Sequence, residues 1–334
     1  METQGSRAYF ENNGKIRELM AFNPGHEQLV TDGRYSAIGN QDLHAVGTEG
    51  GDLLIICSDM MRPWGERIAD LHRKNDDMRV VVVTASELYN EFTGGLPDPM
   101  AYRSMVKMMY QSPHPLTNVL FIGPLYGDMR NVTLRPDRAP GLIGYQEAGV
   151  ILTREAANAM DYFGMAADYI NNIYDISQMP VNVGVGVLPV YTSEEGWTAY
   201  NKIKEYMESQ DFDWLVNETM SISCPGDLHA HDSQATGCRG YFDNLVHQTS
   251  GSKFVHDTEI VDFLGYDKAK RNILAALKRG KLLNMYFGHA NTIHLTLNQS
   301  FINTQDWLSM DNKNLGFSFF CLLYTSPSPR DMRR

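Results

Sequence analysis

The sequence predicts an α/β fold in which parallel sheets are covered by helices. Short apolar runs alternate along the chain with amphipathic segments of helical length, and this alternation is typical of parallel strands joined by crossover helices. The clearest strand is Met78–Thr84, which contains four consecutive valines and therefore favours a buried, extended backbone. With 43% hydrophobic residues in a chain of 334, there is enough apolar side chain for a sizeable core.

The first predicted unit alternates strands and helices. Its elements are the strand Leu53–Cys57, the helix Arg62–Lys74, the strand Met78–Thr84, the helix Pro99–Tyr110 and the strand Val119–Ile122. Ile68 and Leu71 are spaced to share one buried face of the first helix, and Pro99 suits the first turn of the second.

A stretch with several prolines and arginines, from Gly123 to Tyr145, predicts a connection to a second unit. That unit is expected to contain the strand Val183–Pro189, the helix Glu194–Ser209, the strand Met220–Cys224, the helix Asp267–Lys278, and the strands Leu282–Phe287 and Leu315–Phe320. The run Thr192-Ser193-Glu194-Glu195 provides a hydroxyl cap and first-turn carboxylates for the first of these helices.

Charge and composition exclude several classes of partner. The 40 acidic residues outnumber the 29 basic ones and give a net charge of −11, whereas a nucleic-acid surface needs a clustered basic face. No apolar run has the length of a membrane span. The four cysteines, Cys57, Cys224, Cys238 and Cys321, are too few and too scattered to indicate a disulfide framework.

Two predicted strands stop at side chains that can perform nucleophilic catalysis. One apolar run ends at Gly288-His289, and a second ends at Cys321. Parallel strands that end level would bring an imidazole and a thiol within reach of each other, beside backbone N–H groups that can hold an oxyanion. From these residues alone, a histidine that caps a buried strand and a small core cysteine remain an alternative.

Six segments of the sequence resemble the gingipain family of caspase-like cysteine peptidases, in the family's order. They are Gly39–Ala45, Leu53–Ile56, Leu88–Arg103, Val119–Gly123, Val185–Glu195 and Tyr286–His289. The Tyr-Asn-Glu-Phe to Ala-Tyr-Arg block within Leu88–Arg103 is the most specific of them. The resemblance is strongest to the members that trim C-terminal signals in the type IX secretion system, and it implies parallel-sheet units of the caspase-like kind with an incomplete second unit.

The resemblance implies a role for each candidate site residue. His289 is expected to be the general base toward a thiol and the acid toward the leaving amine, and the backbone of Gly288 and Ala290 is expected to face the oxyanion. Cys321 occupies the region of the nucleophile. Asn182 lies where the family often has an acid that orients the imidazole, although an ordinary loop asparagine is the alternative.

Three positions depart from the family pattern. Ala290 replaces the usual glycine, Val187 replaces the arginine of a Gly-Arg-Leu-Pro motif, and Asn182 replaces an acid. Alanine still supplies a backbone N–H, provided that the turn does not need a positive φ. The loss of the arginine removes an ion pair and keeps open a second class of function, a non-catalytic member that binds a secretion partner or signal.

A metal site is the third alternative. Asp227, His229 and His231 form an Asp-x-His-x-His pattern that places two imidazoles on one side of an extended strand. Metal-dependent hydrolases use such a motif at the end of the first strand of a barrel, but here it comes two-thirds along the chain. We expect no cofactor to be required, with a structural divalent metal possible at this pattern.

The ends of the chain carry their own expectations. Residues 321–334 resemble the in-frame translation of a sequencing adapter, so the natural sequence is expected to be represented only to Phe320, and the natural thiol to follow within a few residues. The 334-residue chain should then have little peptidase activity. Residues 1–7 lack the apolar core of a secretory signal, although the family is exported, and Met1 is therefore not expected to be the natural start.

These expectations give a division into four regions and a function. Residues 1–40 are the flank of a larger protein, 41–145 a first α/β subdomain, 146–320 a second, catalytic and incomplete subdomain, and 321–334 an artefactual tail. The resemblance implies an endopeptidase that processes C-terminal signals of secreted proteins. Its partners would be those polypeptides and secretion-system components, at the cell surface, on the outer membrane or outside the cell, with no nucleic acid.

Overall fold

The computed structural model falls into two compact units, residues 1–42 and residues 43–334. It describes residues 2–4, 7–9, 38–126, 151–153, 163–165, 180–209, 219–223, 244, 256–260, 265–281, 283–288, 294–295, 301–312, 314 and 316–322. The described part of the first unit contains an antiparallel pair of short strands, β1 (Glu2–Gln4) and β2 (Arg7–Tyr9).

The described part of the second unit contains ten strands and seven α-helices. The strands are β3 (Leu53–Cys57), β4 (Val80–Thr84), β5 (Asn118–Ile122), β6 (Leu125–Tyr126), β7 (Ile151–Leu152), β8 (Gly184–Leu188), β9 (Thr219–Ser223), β10 (His256–Ile260), β11 (Leu283–Gly288) and β12 (Phe317–Leu322). The helices are α1 (Leu43–Glu49), α2 (Arg62–Asn75), α3 (Ala85–Phe92), α4 (Met100–Tyr110), α5 (Ser193–Glu208), α6 (Tyr266–Arg279) and α7 (Thr304–Leu308).

The first sheet has four parallel strands in the order β4-β3-β5-β8. Its central strand β3 is buried throughout, because helices cover both faces. Leu54 and Ile56 pack toward α3 and α4, while Leu53, Ile55 and Cys57 pack toward α2. This two-sided burial explains why the strand is uninterruptedly apolar, and it confirms the predicted parallel sheet covered by helices.

Capping boxes fix where two of the helices begin. The Thr84 hydroxyl accepts a hydrogen bond from the backbone of Glu87, and the Glu87 carboxylate accepts one from the Thr84 N–H. Thr192 and Glu195 make the same reciprocal pair at the start of α5. The hydroxyl cap predicted within the run from Thr192 to Glu195 is therefore confirmed, and the capping residue is Thr192.

The placement of β8 corrects one expectation. The sequence analysis puts this strand at the start of the second unit, but β8 pairs with β5 over the register from Asn118–Gly184 to Ile122–Leu188. Strand pairing is a long-range choice, and β8 reaches the first sheet after a connection much longer than a crossover needs. The boundary between residues 145 and 146 stays a prediction, since residues 127–150 lie outside the described part of the chain.

The second sheet also has four parallel strands, in the order β10-β9-β11-β12. Helix α6 and the segment around α7 cover one of its faces through a cluster that includes Ile273, Tyr286 and Phe301. Both strands predicted to bear the site, β11 and β12, are neighbours in this sheet. Each ends further along the chain than predicted, β11 at Gly288 and β12 at Leu322.

Candidate active site

The carboxyl ends of β11 and β12 lie level with each other. Phe287 is in register with Cys321, and the last row pairs Gly288 with Leu322. His289 follows β11 directly in the sequence. The structure thus brings the ends of the two predicted strands together at one edge of a parallel sheet, where functional groups commonly gather.

The individual site residues divide into those that the structure describes and those that it does not. Gly288 and Cys321 are described as backbone within β11 and β12, and Cys321 lies inside its strand rather than after the strand's end. His289 and Ala290 lie outside the described residues. Their catalytic and oxyanion roles stay predictions.

Asn182 lies at the first sheet. Its backbone N–H donates to the Gly164 carbonyl at 2.9 Å. Asn182 precedes the amino end of β8, which begins two residues later at Gly184. Val187, the position where the family pattern has arginine, is half-buried in the same strand and in register with Phe121. The orienting role of Asn182 stays a prediction.

The metal alternative stays a prediction as well. Asp227, His229 and His231 lie outside the described residues, as do Cys224 and Cys238. Among the residues that the structure does describe, no three His, Cys, Asp or Glu side chains gather as a metal site requires.

Cys57 shows what a cysteine at the end of a buried strand looks like when it is sealed in the core. Its side chain is fully buried at the end of β3, and this burial raises the pKa of the thiol to about 12, with Arg62 acting in the opposite direction. Glu66 and Glu87 raise it further. A thiol in this environment remains protonated at neutral pH, so Cys57 is not a nucleophile.

The chain between the candidate histidine and β12 is anchored to α6. Asn303 and Asp306 form a capping box at the start of α7, and the Asp306 carboxylate also pairs with the Lys270 ammonium at 2.6 Å. Burial would raise the pKa of Asp306, but the bonds from Lys270 and the Asn303 backbone lower it overall. Within the same segment, the Leu295 N–H donates to the Ile302 carbonyl at 2.9 Å.

Sequence reasoning missed this anchor, although part of its signal is visible. The spacing Asn303-x-x-Asp306 is that of a capping box, and it could have placed the start of α7. The pairing with Lys270 depends on how α6 packs against α7, which no local pattern reveals.

Comparison with known proteins identifies the family. The profile of peptidase family C25 matches residues 47–323, and the chain therefore belongs to peptidase family C25. The predicted resemblance to the gingipain family is confirmed, and with it membership of a cysteine peptidase family. The comparison with curated proteins gives no match.

Two solved structures are similar to this chain. Gingipain R, an Arg-specific cysteine proteinase, shares 15% identity at a TM-score of 0.54, over 86% of this chain and 57% of its own. This likeness shows the fold and confirms the predicted fold class. Dimeric latent PorU from Porphyromonas gingivalis shares 32% identity at a TM-score of 0.43, over 51% of this chain and 16% of its own. The chain thus spans less than two-thirds of either protein.

Proposed function

We propose that this chain belongs to a cysteine endopeptidase in which His289 activates a thiol carried by the end of β12. The observation that carries the proposal is the level ending of β11 and β12, in register from Leu283–Phe317 to Gly288–Leu322, within a chain of peptidase family C25. Attack by the thiolate on the carbonyl carbon of the scissile peptide bond would form a tetrahedral intermediate. Protonated His289 would then give its proton to the leaving amine as the C–N bond breaks.

The strand register favours a particular position for the thiol. Neighbouring parallel strands lie about 4.8 Å apart and rise about 3.3 Å per residue. We predict that the register continues by one row, which would set residue 323 opposite residue 289 and leave Cys321 two rows earlier. Leu322 belongs to the row of Gly288, and because side chains alternate along a strand, a thiol at 322 is expected to face away from one at 323.

The substrate class follows from the resemblance of the Leu88–Arg103 block. We propose that the enzyme processes C-terminal signals of secreted proteins, as the type IX secretion members of the family do, and acts at the cell surface. The structure gives this block a packing role: its two buried tyrosines, Tyr89 and Tyr102, join α3 to α4. This packing role does not bear on the substrate, which has to be tested directly.

A thiol walk along β12 tests the catalytic proposal. Three proteins would each carry one thiol in this region: the unchanged chain, Cys321→Ala with Leu322→Cys, and Cys321→Ala with Leu323→Cys. The measurement is the rate of iodoacetamide alkylation at pH 6, with and without His289→Ala. We expect the thiol at 323 to react about tenfold faster when His289 is present, because an imidazolium partner lowers the pKa of a thiol.

The walk contains its own control. The thiol at 322 should be insensitive to His289, because neighbouring positions of a strand are expected to face opposite sides of a sheet. Equal sensitivity at 322 and 323, or none at 321 and 323, would overturn the assignment of His289 as the base. Incubation of the active variant with a secreted protein that bears a C-terminal signal then tests the substrate, and cleavage elsewhere than before that signal would contradict a sortase-like role.

A further inference from the structure

A small pocket lies beneath the two site strands, on the face of the second sheet that α6 and α7 cover. Most of its lining is apolar and comes from Leu277, Tyr286, Leu295, Ile302 and Trp307. Two polar side chains complete it, Asn284 from β11 and Ser318 from β12. These two residues are directly in register.

The amide of Asn284 is only half satisfied. Its Nδ2 donates to the Ser318 hydroxyl at a long 3.4 Å, and its Oδ1 has no hydrogen-bond partner among the described residues. Asn284 is 7% exposed. A buried carbonyl oxygen with no partner is costly and therefore rare, and the common remedy is an ordered water molecule.

The pocket has the size for that remedy. The space that the centre of a water molecule can occupy is about 10 Å³, and a space of about this size holds one water. The Ser318 side is exposed, so water can enter, whereas Leu277, Ile302 and the other apolar side chains would leave a larger polar ligand unsatisfied.

We propose that this pocket binds one water molecule, which donates to Asn284 Oδ1 and hydrogen-bonds to Ser318 Oγ. Together with the long direct bond, the water joins β11 to β12 in a side-chain clasp. Within the described sheet β12 is an edge strand that pairs with β11 alone. The clasp therefore reinforces the pairing that sets the register of β12 against β11. Asn284 lies four residues before Gly288, and it is a positioning residue for the strand ends. This inference does not depend on the proposed peptidase activity.

A crystal structure that shows ordered water tests the site directly. We expect density for one water at about 2.7–3.2 Å from Asn284 Oδ1, and its loss in the Asn284→Leu variant. Crystals under xenon pressure test the alternative of a dry cavity, because dry apolar cavities take up xenon. A wild-type pocket that is empty of water, or that binds xenon, would overturn the proposal.

Thermal unfolding supplies a milder test through Ser318→Ala, which removes one partner of the water and leaves Asn284 in place. We expect Tm to fall by about 1–2 °C, because loss of one hydrogen bond costs roughly 1 kcal/mol and a chain of 334 residues unfolds with an entropy of about 0.7 kcal/mol/K. Ser309→Ala is the matched control, since the Ser309 hydroxyl bonds only locally to the Asp306 carbonyl at an exposed position. A Tm for Ser318→Ala no lower than that of the control would contradict the clasp.

Discussion

Replacing Tyr102 by phenylalanine should destabilise the first sheet far more than the same change at Tyr89. Tyr102 is fully buried, and its hydroxyl accepts a hydrogen bond from the Leu152 N–H at 3.1 Å while it also pairs with the Tyr89 hydroxyl. The N–H groups on either side of it donate elsewhere, that of Ile151 to the Pro124 carbonyl and that of Thr153 to the Tyr126 carbonyl. The Leu152 N–H points the other way, and it would lose its Tyr102 acceptor in the variant.

The magnitude follows from the two bonds. Loss of the hydroxyl pair costs about 1 kcal/mol, and a buried N–H without a partner adds about 1–3 kcal/mol. Tyr102→Phe should therefore lower the free energy of unfolding by about 2–4 kcal/mol. Tyr89→Phe removes the hydroxyl pair but keeps the bond from the Leu152 N–H to Tyr102, and it should cost about 1 kcal/mol. Both changes keep the ring, so the contacts of Tyr102 with Phe121 and Phe163 are preserved.

Urea denaturation of the two variants beside the wild type measures the difference. Tryptophan fluorescence is a suitable signal, because Trp64 is buried against the same sheet. Equal losses in the two variants would refute the reasoning, since the Leu152 N–H would then not depend on Tyr102. A loss below about 1 kcal/mol for Tyr102→Phe would show that water replaces the hydroxyl.

Three other changes have definite expected outcomes. Gly65→Ala should destabilise although alanine favours helices, because a Cβ at position 65 would overlap Cys57 Sγ; adding Cys57→Ala should restore most of the loss in a double-mutant cycle of unfolding free energies. The pKa of Cys57 lies at about 12 against 9.0 for an ordinary thiol, so the unfolded state ionises first and stability should fall from pH 9 to 12, with a shallower fall in Cys57→Ala. The lowered pKa of Asp306 has the opposite sign: its stabilisation is present above the usual carboxyl pKa and is lost as pH falls through the lowered value. Asp306→Asn should therefore reduce Tm at neutral pH and flatten its acid dependence, and an unchanged Tm would show that the pairing with Lys270 contributes nothing.

Local sequence signals located most of the long elements. The apolar runs at β3, β4 and β5 predict their strands within a few residues. These strands pack on both faces, so they consist almost entirely of apolar residues. The hydroxyl cap at Thr192 predicts the start of α5 for a similarly local reason. The two-residue strands β6 and β7 were not predicted, since two residues carry no periodicity.

Long-range pairing is what the sequence could not supply. Nothing in the residues of β8 says that it joins β5 rather than the second sheet, because a parallel strand can pair with any partner of similar length. The same limitation hides the pairing of Asn284 with Ser318, which depends on the register between β11 and β12. The family motifs pointed to His289, but the level of the two strands had to come from the structure.

The comparison between Cys57 and the end of β12 shows why strand position alone does not make a nucleophile. Both thiol positions lie at the carboxyl end of a parallel strand. At Cys57 the following helix α2 seals the edge, since Gly65 lets the helix backbone approach the sulfur closely, and burial holds the thiol protonated. A catalytic thiol needs the reverse, an open edge and a base in the adjacent strand. Of the two described four-stranded sheets, the second alone has a histidine directly after the strand that neighbours the candidate thiol strand, and this contrast favours the proposed placement of the chemistry at β11 and β12.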